Sequence, residues 1–209
     1  MEPKAGYAPK VSIYGNKPES DNGDRCLRFA GTGCRYYVLL CDGMGTGPGA
    51  VREGKTAADI LKRLLCAGFP PEHALKTLNS LCALRERAGA VTVDLCSLQL
   101  DTGRATLYKW GAAPSYLVSA SGARQVGMVT PPPGLSVLEH REHTESVSLR
   151  RGEALVVCSD GVVHEDTLRH CSECCGQDPA ILGQRLLEHS RITGEDDATA
   201  AIISLLPVR

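Results

Sequence analysis

Three apolar runs that read as buried β-strands each carry an aspartate at one end, in Cys41-Asp42-Gly43, Ser159-Asp160-Gly161 and Asp196-Asp197-Ala198-Thr199. Aspartate is disfavoured in strands, so its repeated placement at strand ends needs a reason. A single Asp-Gly after a strand is most simply a turn. The co-occurrence of several, with Gly23-Asp24 upstream, points instead to a shared site. A turn over Gly31-Thr32-Gly33 sets Asp24 opposite Asp42 in a first hairpin. Cross-strand Cα atoms lie ~5 Å apart, and like charges there repel unless a cation lies between them. Asp160 ends one strand and Asp196 precedes another, so antiparallel pairing brings both to one edge of a sheet. Such a cluster suits Mg²⁺ or Mn²⁺, which take oxygen ligands and complete their shell with water. Glycine after Asp42 and Asp160 removes a side chain and lets the Gly43 carbonyl or a phosphate come close. For Asp196-Asp197 taken alone, a solvated loop is the competing reading.

The rest of the pattern supplies the scaffold. A polar stretch runs to about Asn22, followed by strands over Cys26–Phe29 and Tyr36–Cys41. Apolar residues at Ala57, Ile60, Leu61, Leu64 and Leu65 predict a helix over Ala50–Leu65 that stops at Gly68. A second helix starts at Pro70-Pro71, with Ala74, Leu75, Leu78, Leu81 and Cys82 on one face. Short strands are then expected over Val91–Leu100, Ala105–Trp110, Ser115–Ser119 and Arg124–Val129, near His143–Leu149, and over Ala154–Cys158. A helix over Pro179–His189 and a buried strand over Ala198–Leu206 close the chain. Antiparallel strands with helices in two blocks predict an α+β domain, a β-sandwich flanked by helices.

Composition narrows the partners. The 209 residues suit one domain, and 43% hydrophobic with 22% charged residues suits a buried core. A net charge of -1 without long charged blocks gives no electrostatic case for nucleic acid or an anionic membrane. No apolar run is long enough to span a bilayer, and Glu2-Pro3-Lys4 after Met1 does not read as a secretory signal. Most of the ten cysteines sit in apolar segments and are expected to be reduced. Cys171-Ser172-Glu173-Cys174-Cys175 holds one C-x-x-C step without a second, so ordinary thiols at a helix end are favoured over zinc. Cys158 lacks a phosphate-cradling loop and reads as core, and His164 as a surface loop residue.

The motifs Gly23-Asp24, Cys41-Asp42-Gly43-Met44-Gly45-Thr46-Gly47, Thr92-Val93-Asp94-Leu95 and Lys109-Trp110-Gly111-Ala112-Ala113-Pro114-Ser115 stand in order along the chain. With Pro133-Gly134, Ser159-Asp160-Gly161-Val162 and Asp196-Asp197-Ala198-Thr199, the sequence resembles the metal-dependent protein phosphatases of type 2C. Among them it resembles the bacterial stage II sporulation protein E phosphatase domains. The resemblance implies a four-layer α-β-β-α sandwich with two Mn²⁺ or Mg²⁺ ions at one edge. Asp42 would bridge them, the Gly43 carbonyl and Asp24 would join it on one ion, and Asp160 and Asp196 would hold the other. It implies hydrolysis of phosphoserine or phosphothreonine on a protein through a metal-activated water. The implied substrate is a phosphorylated anti-sigma-factor antagonist. A catalytically inactive, phosphoprotein-binding pseudophosphatase is the competing reading. The sequence departs from eukaryotic relatives at Met44, where they carry a histidine that is a candidate general acid. Arg25 and Lys10 are nearby cations without an assigned role. The resemblance further implies that residues 1–209 form one cytoplasmic phosphatase domain at the C-terminal end of a longer, membrane-anchored protein, with a homodimer left open.

Overall fold

A computed structural model describes residues 5–18, 20–84, 91–127, 130–135, 143–194 and 196–208. Strands β1 (Tyr7–Gly15), β2 (Asp24–Ala30) and β3 (Arg35–Gly43) are followed by helices α1 (Pro48–Cys66) and α2 (Pro71–Leu84). Strands β4 (Val91–Gln99), β5 (Arg104–Trp110), β6 (Ser115–Ser119), β7 (Gly122–Val126), β8 (His143–Ser148) and β9 (Ala154–Cys158) come next. A 3₁₀ turn at Asp160–Val162, helices α3 (Thr167–Glu173) and α4 (Pro179–Thr193), and strand β10 (Thr199–Pro207) complete the chain.

The strands form two five-stranded antiparallel sheets, ordered β1-β10-β9-β6-β7 and β2-β3-β4-β5-β8. Strand alternation sorts each sheet's side chains into two layers. Tyr37, Leu39, Val93 and Leu95 pack under α1 and α2, whereas Val38, Leu40, Cys96 and Leu107 meet Leu155, Val157, Ala201 and Ile203 of the other sheet. On the far side, Val156, Cys158, Ala200 and Ile202 pack under α3 and α4 with Leu186 and Leu187. Helix, sheet, sheet and helix thus form the four layers expected. No helix among the described residues is long and apolar enough to cross a membrane.

One reading of the sequence needs correction. The polar stretch before Asn22 contains β1, an edge strand paired along its whole length with β10. Pro9 and Lys10 gave it a loop-like look, and both are residues that an edge strand tolerates, because one side of the strand needs no ladder. The expected thiols at a helix end are found: Cys171 lies in the last turn of α3 and Cys174 just past it, both buried in the layer that includes α4. The predicted strand over Arg124–Val129 ends at Val126, and its residues 128 and 129 lie outside the described residues.

Glycines set how closely α1 approaches β2 and β3. A Cβ on Gly54 would fall inside van der Waals contact of the Gly23 carbonyl and 3.3 Å from the Cys41 carbonyl and the Gly43 nitrogen. Backbone cannot retreat as a flexible side chain can, so crowding outweighs the helix propensity that alanine adds. Gly54→Ala is expected to cost about 1–3 kcal/mol. Gly49→Ala, where a Cβ would meet nothing within 4 Å, should be neutral or stabilising by up to about 1 kcal/mol. Thermal denaturation of the two variants checks this, and equal effects would refute the packing argument.

Candidate metal centre

The rim between the two sheets receives acids from both. Asp24 pairs directly with Asp42 across β2 and β3, the register expected from the hairpin. β9 and β10 are antiparallel with Cys158 opposite Ala200, which carries Asp160 and Asp196 to the same rim. Asp24 is buried, Asp42 half-buried, and Asp160 and Asp196 exposed. Burial pushes the Asp42 carboxyl up to about 9, reinforced by the charges of Asp24 and Asp160, a hydrogen bond with Asp160 and the charge of Asp196. Burial likewise raises Asp24 to about 6 against the lowering pull of Ser159 and Thr199, with Asp197 and Asp160 adding to the rise. All four acids therefore share one electrostatic neighbourhood.

Asp42 is hydrogen-bonded to Asp160, and the Ser159 hydroxyl donates to Asp24 Oδ2 at 2.6 Å. No three acidic, histidine or cysteine side chains among the described residues form a closed ligand set. The donor set nevertheless fits a divalent cation: hard oxygens, mutual repulsion, and a buried Asp24 Oδ1 without a hydrogen-bond partner. The Gly43 carbonyl stands on the same strand end, and the Gly43 N–H donates to the Gly23 carbonyl at 3.2 Å. Close packing by itself demands the glycines. A Cβ on Gly43 would collide with the Ala50 carbonyl of α1, and one on Gly161 with the Asp197 carbonyl.

Asp197 has a role that the Asp-Asp pair did not disclose. It is 4% exposed, accepts the Gly23 N–H at 2.7 Å on Oδ2, and is paired with Lys17 at 2.7 Å through Oδ1. Asn22 donates to Thr199 Oγ1 at 3.2 Å and accepts the Asp24 N–H at 2.9 Å. These bonds fasten the start of β2 in one sheet to β10 in the other, and hence position Asp24. A spacing signal existed only in the invariable coupling of strand parity: residues 197, 199 and 201 share the face toward the opposite sheet.

Other candidates fall elsewhere. Lys10 lies exposed on the edge strand β1, far along it from the rim. Arg25, opposite Cys41, faces the helix side and lines a cleft of about 400 Å³ with Ser20, Asn22, Val51 and Lys55. A polar cavity of about 530 Å³, lined by Arg35, Glu72, Gln99 and Arg104, lies at the opposite end of β3 from Asp42. Met44 is 54% exposed on the loop after Asp42. His164 is a half-buried residue of the loop before α3: its Nδ1 accepts the Asp166 N–H at 3.2 Å, and its ring centroid lies 5.4 Å from that of His170. All ten cysteines are free, and the buried Cys158 donates weakly to the Pro114 carbonyl at 3.5 Å.

A family model described as stage II sporulation protein E matches residues 32–205. A stage II sporulation protein E of Priestia megaterium is 25% identical over 185 residues, 82% of this chain and 32% of that protein. Its counterpart in Bacillus subtilis strain 168 is 29% identical over 129 residues, 61% of this chain and 16% of that protein. The chain thus spans about a third or less of these relatives. The fold is similar to the PP2C phosphatase domain and regulatory-domain fragment of SpoIIE from Bacillus subtilis, with a TM-score of 0.85 at 22% identity, over 99% of this chain and 66% of that one. RsbX in complex with magnesium gives a TM-score of 0.76 at 17% identity, over 97% of this chain and 98% of that one. At these identities the two structures establish the fold.

Removing Asp197 should loosen the start of β2. Asp197→Ala leaves the Gly23 N–H without its acceptor and is expected to cost about 1–3 kcal/mol. Asp197→Asn keeps an acceptor oxygen and should cost less, since the Lys17 partner is partly exposed and its ion pair is screened. Denaturant titration ranks the two, and an Asn variant as damaged as the Ala variant would contradict this assignment.

Proposed function

Because this chain belongs to the stage II sporulation protein E family, we propose that it is a metal-dependent protein serine/threonine phosphatase domain. The observation that carries this reading is the meeting of Asp24, Asp42, Asp160 and Asp196 at one rim, two from each sheet side. In the proposed site Asp24, Asp42, the Gly43 carbonyl, Asp160 and Asp196 would hold two divalent cations. Bound there, they would supply an activated water and neutralise charge on phosphoryl oxygens. Magnesium in the complex of the structurally similar RsbX supports a divalent cation here. Mn²⁺ and Mg²⁺ both suit the all-oxygen donor set.

The chain's own residues do the holding. Ser159 orients Asp24 through its hydroxyl while accepting the Thr199 N–H at 2.9 Å, so β10 fixes the rotamer of a proposed ligand. Met44 beside Asp42 carries no proton to give, so protonation of the departing serine or threonine alkoxide does not come from that position. Among the described residues neither a cysteine nor a histidine stands as a nucleophile at the rim. Burial and neighbouring acids push Cys158 well above the ordinary thiol range, against the opposing pull of Lys109. The substrate class proposed is a phosphorylated cytoplasmic protein, an anti-sigma-factor antagonist. Structural likeness to the RsbU and RsbW domains of a Mycobacterium tuberculosis protein is in keeping with a protein substrate. The domain is proposed to act in the cytoplasm as part of a longer, membrane-anchored protein.

Mn²⁺-dependent release of phosphate from a phosphoserine protein is the direct test. Asp42→Asn and Asp160→Asn should each lower it on the order of a hundredfold or more. Activity that survives both changes would reject the ligand assignment. Binding of the phosphoprotein without hydrolysis by the metal-loaded wild type would favour the pseudophosphatase instead.

A further inference from the structure

One row behind the acidic rim, a buried lysine sits between the sheets. Lys109 and Ser115 are 0% exposed and Asp94 is 1% exposed. Lys109 Nζ donates to Asp94 Oδ2 and, at 2.9 Å, to Ser115 Oγ, while Ser115 Oγ donates to Asp94 Oδ2 at 3.1 Å. Register places the cluster: Cys26, Leu40, Asp94 and Lys109 form one row across β2, β3, β4 and β5. The next row is Asp24, Asp42 and Thr92. Two residues along a strand advance ~7 Å, so the ion pair lies directly behind two proposed metal ligands. Ser115 comes from β6, in the opposite sheet. Space for the lysine stem is reserved as well. Gly127, with φ +76°, stands where a Cβ would strike Lys109 Cδ.

Stability alone gives no reason for this arrangement. A buried ion pair commonly returns less than well-packed apolar side chains of similar volume would. What it adds is direction. The surrounding contacts, Val38, Leu40 and Leu107 against Leu155, Val157 and Ile203, are apolar and let one sheet slide over the other. A three-membered network with one member from the opposite sheet permits a single relative placement. The proposed ligands come from both sides: Asp24 and Asp42 from the β2-β3 side, Asp160 and Asp196 from the ends of β9 and β10. A functional constellation tolerates about 0.5 Å of misplacement, so relative sheet position decides whether the two halves meet around an ion.

We propose that Lys109, with Asp94 and Ser115, is a positioning device that sets the two halves of the metal centre against each other. It touches neither metal nor substrate. The inference rests on the phosphatase reading above and is separable from it by metal binding. The wild type, Ser115→Ala and the double variant Lys109→Met with Asp94→Leu are each titrated with Mn²⁺ by calorimetry, alongside thermal melts. The double variant removes both charges, so it should melt at or above the wild-type temperature while binding Mn²⁺ at least tenfold more weakly. Ser115→Ala keeps the pair but cuts its link to the other sheet, and should weaken Mn²⁺ binding several-fold. In turnover of p-nitrophenyl phosphate the Mn²⁺ concentration for half-activity should rise, with kcat at saturating Mn²⁺ little changed. A folded double variant with wild-type Mn²⁺ affinity overturns the proposal and leaves the phosphatase reading standing. If the double variant does not fold, Ser115→Ala decides, and unchanged affinity there overturns the proposal. A wild type that binds no Mn²⁺ sinks the phosphatase reading itself and the positioning role with it.

Discussion

Repulsion among carboxylates at the mouth between two sheets is the constraint to which the rest of this structure responds. Asp24 and Asp42 occupy a directly paired position in neighbouring strands, where like charges are destabilising. Burial worsens the problem, because each charge loses water that would screen it, and the Asp42 carboxyl rises to about 9 as a result. Protons or a cation can relieve such a cluster, and no lysine or arginine is salt-bridged to Asp24 or Asp42 among the described residues. The nearby cation at this rim, Lys17, is committed to Asp197. Among the described residues Asp24 and Asp42 thus have no salt-bridge partner, while Asp197 beside them and Asp94 behind them each have one.

The surrounding groups divide into those that hold backbone and those that hold side chains. Asp197 and Asn22 bind main-chain N–H groups at the start of β2, fixing where Asp24 begins. Ser159 binds the Asp24 carboxylate itself and is in turn fixed by the Thr199 N–H. The bonds of Gly23 to Asp197 and of Ser159 to Asp24 run between sheets, so contacts that close the sandwich also orient its acids. Moving inward from the rim, the inter-sheet layer passes from acids, through the neutralised Asp94 and Lys109 pair, to aliphatic packing. Polarity falls with depth, as the cost of unpaired charge requires.

Much of this was legible in the sequence because it depends on short-range geometry. The position of one turn fixes the register of a hairpin, and so the pairing of Asp24 with Asp42 followed from Gly31-Thr32-Gly33 alone. Helical periodicity gave α1 and α2 within a few residues, and the apolar runs gave β9 and β10. The strand β1 was missed because its partner is at the other end of the chain. Its pairing with β10 is wholly non-local, and an edge strand with Pro9 and Lys10 has no strong local signature. Asp197 was given no role for a similar reason, since the N–H it caps belongs to Gly23. The Asp94 and Lys109 cluster did leave a trace: an aspartate inside Val93-Asp94-Leu95 and a lysine beside Trp110, both flanked by strand residues. A charge in a strand interior predicts an opposite charge at a cross-strand position, and β4 and β5 supply that pairing. The third member, Ser115, lies in the other sheet and needed the three-dimensional fold.

The glycines beside Asp42 show how the helical layer joins this system. Gly23, Gly43 and Gly54 form a seam in which α1 lies against the ends of β2 and β3 with no side chain between. Ala50 of α1 presents its carbonyl to Gly43, one residue beyond Asp42, and Gly54 meets the Gly23 carbonyl, one residue before Asp24. A rigid helix in backbone contact at both points cannot shift along its axis without displacing a neighbour of each acid, because close-packed backbone transmits movement instead of absorbing it. Side-chain packing would have left slack, since a leucine can change rotamer where a carbonyl cannot retreat. The placement of the acids is thus tied on one side to the opposite sheet by hydrogen bonds and on the other to α1 by bare backbone, and neither tie alone would fix their position.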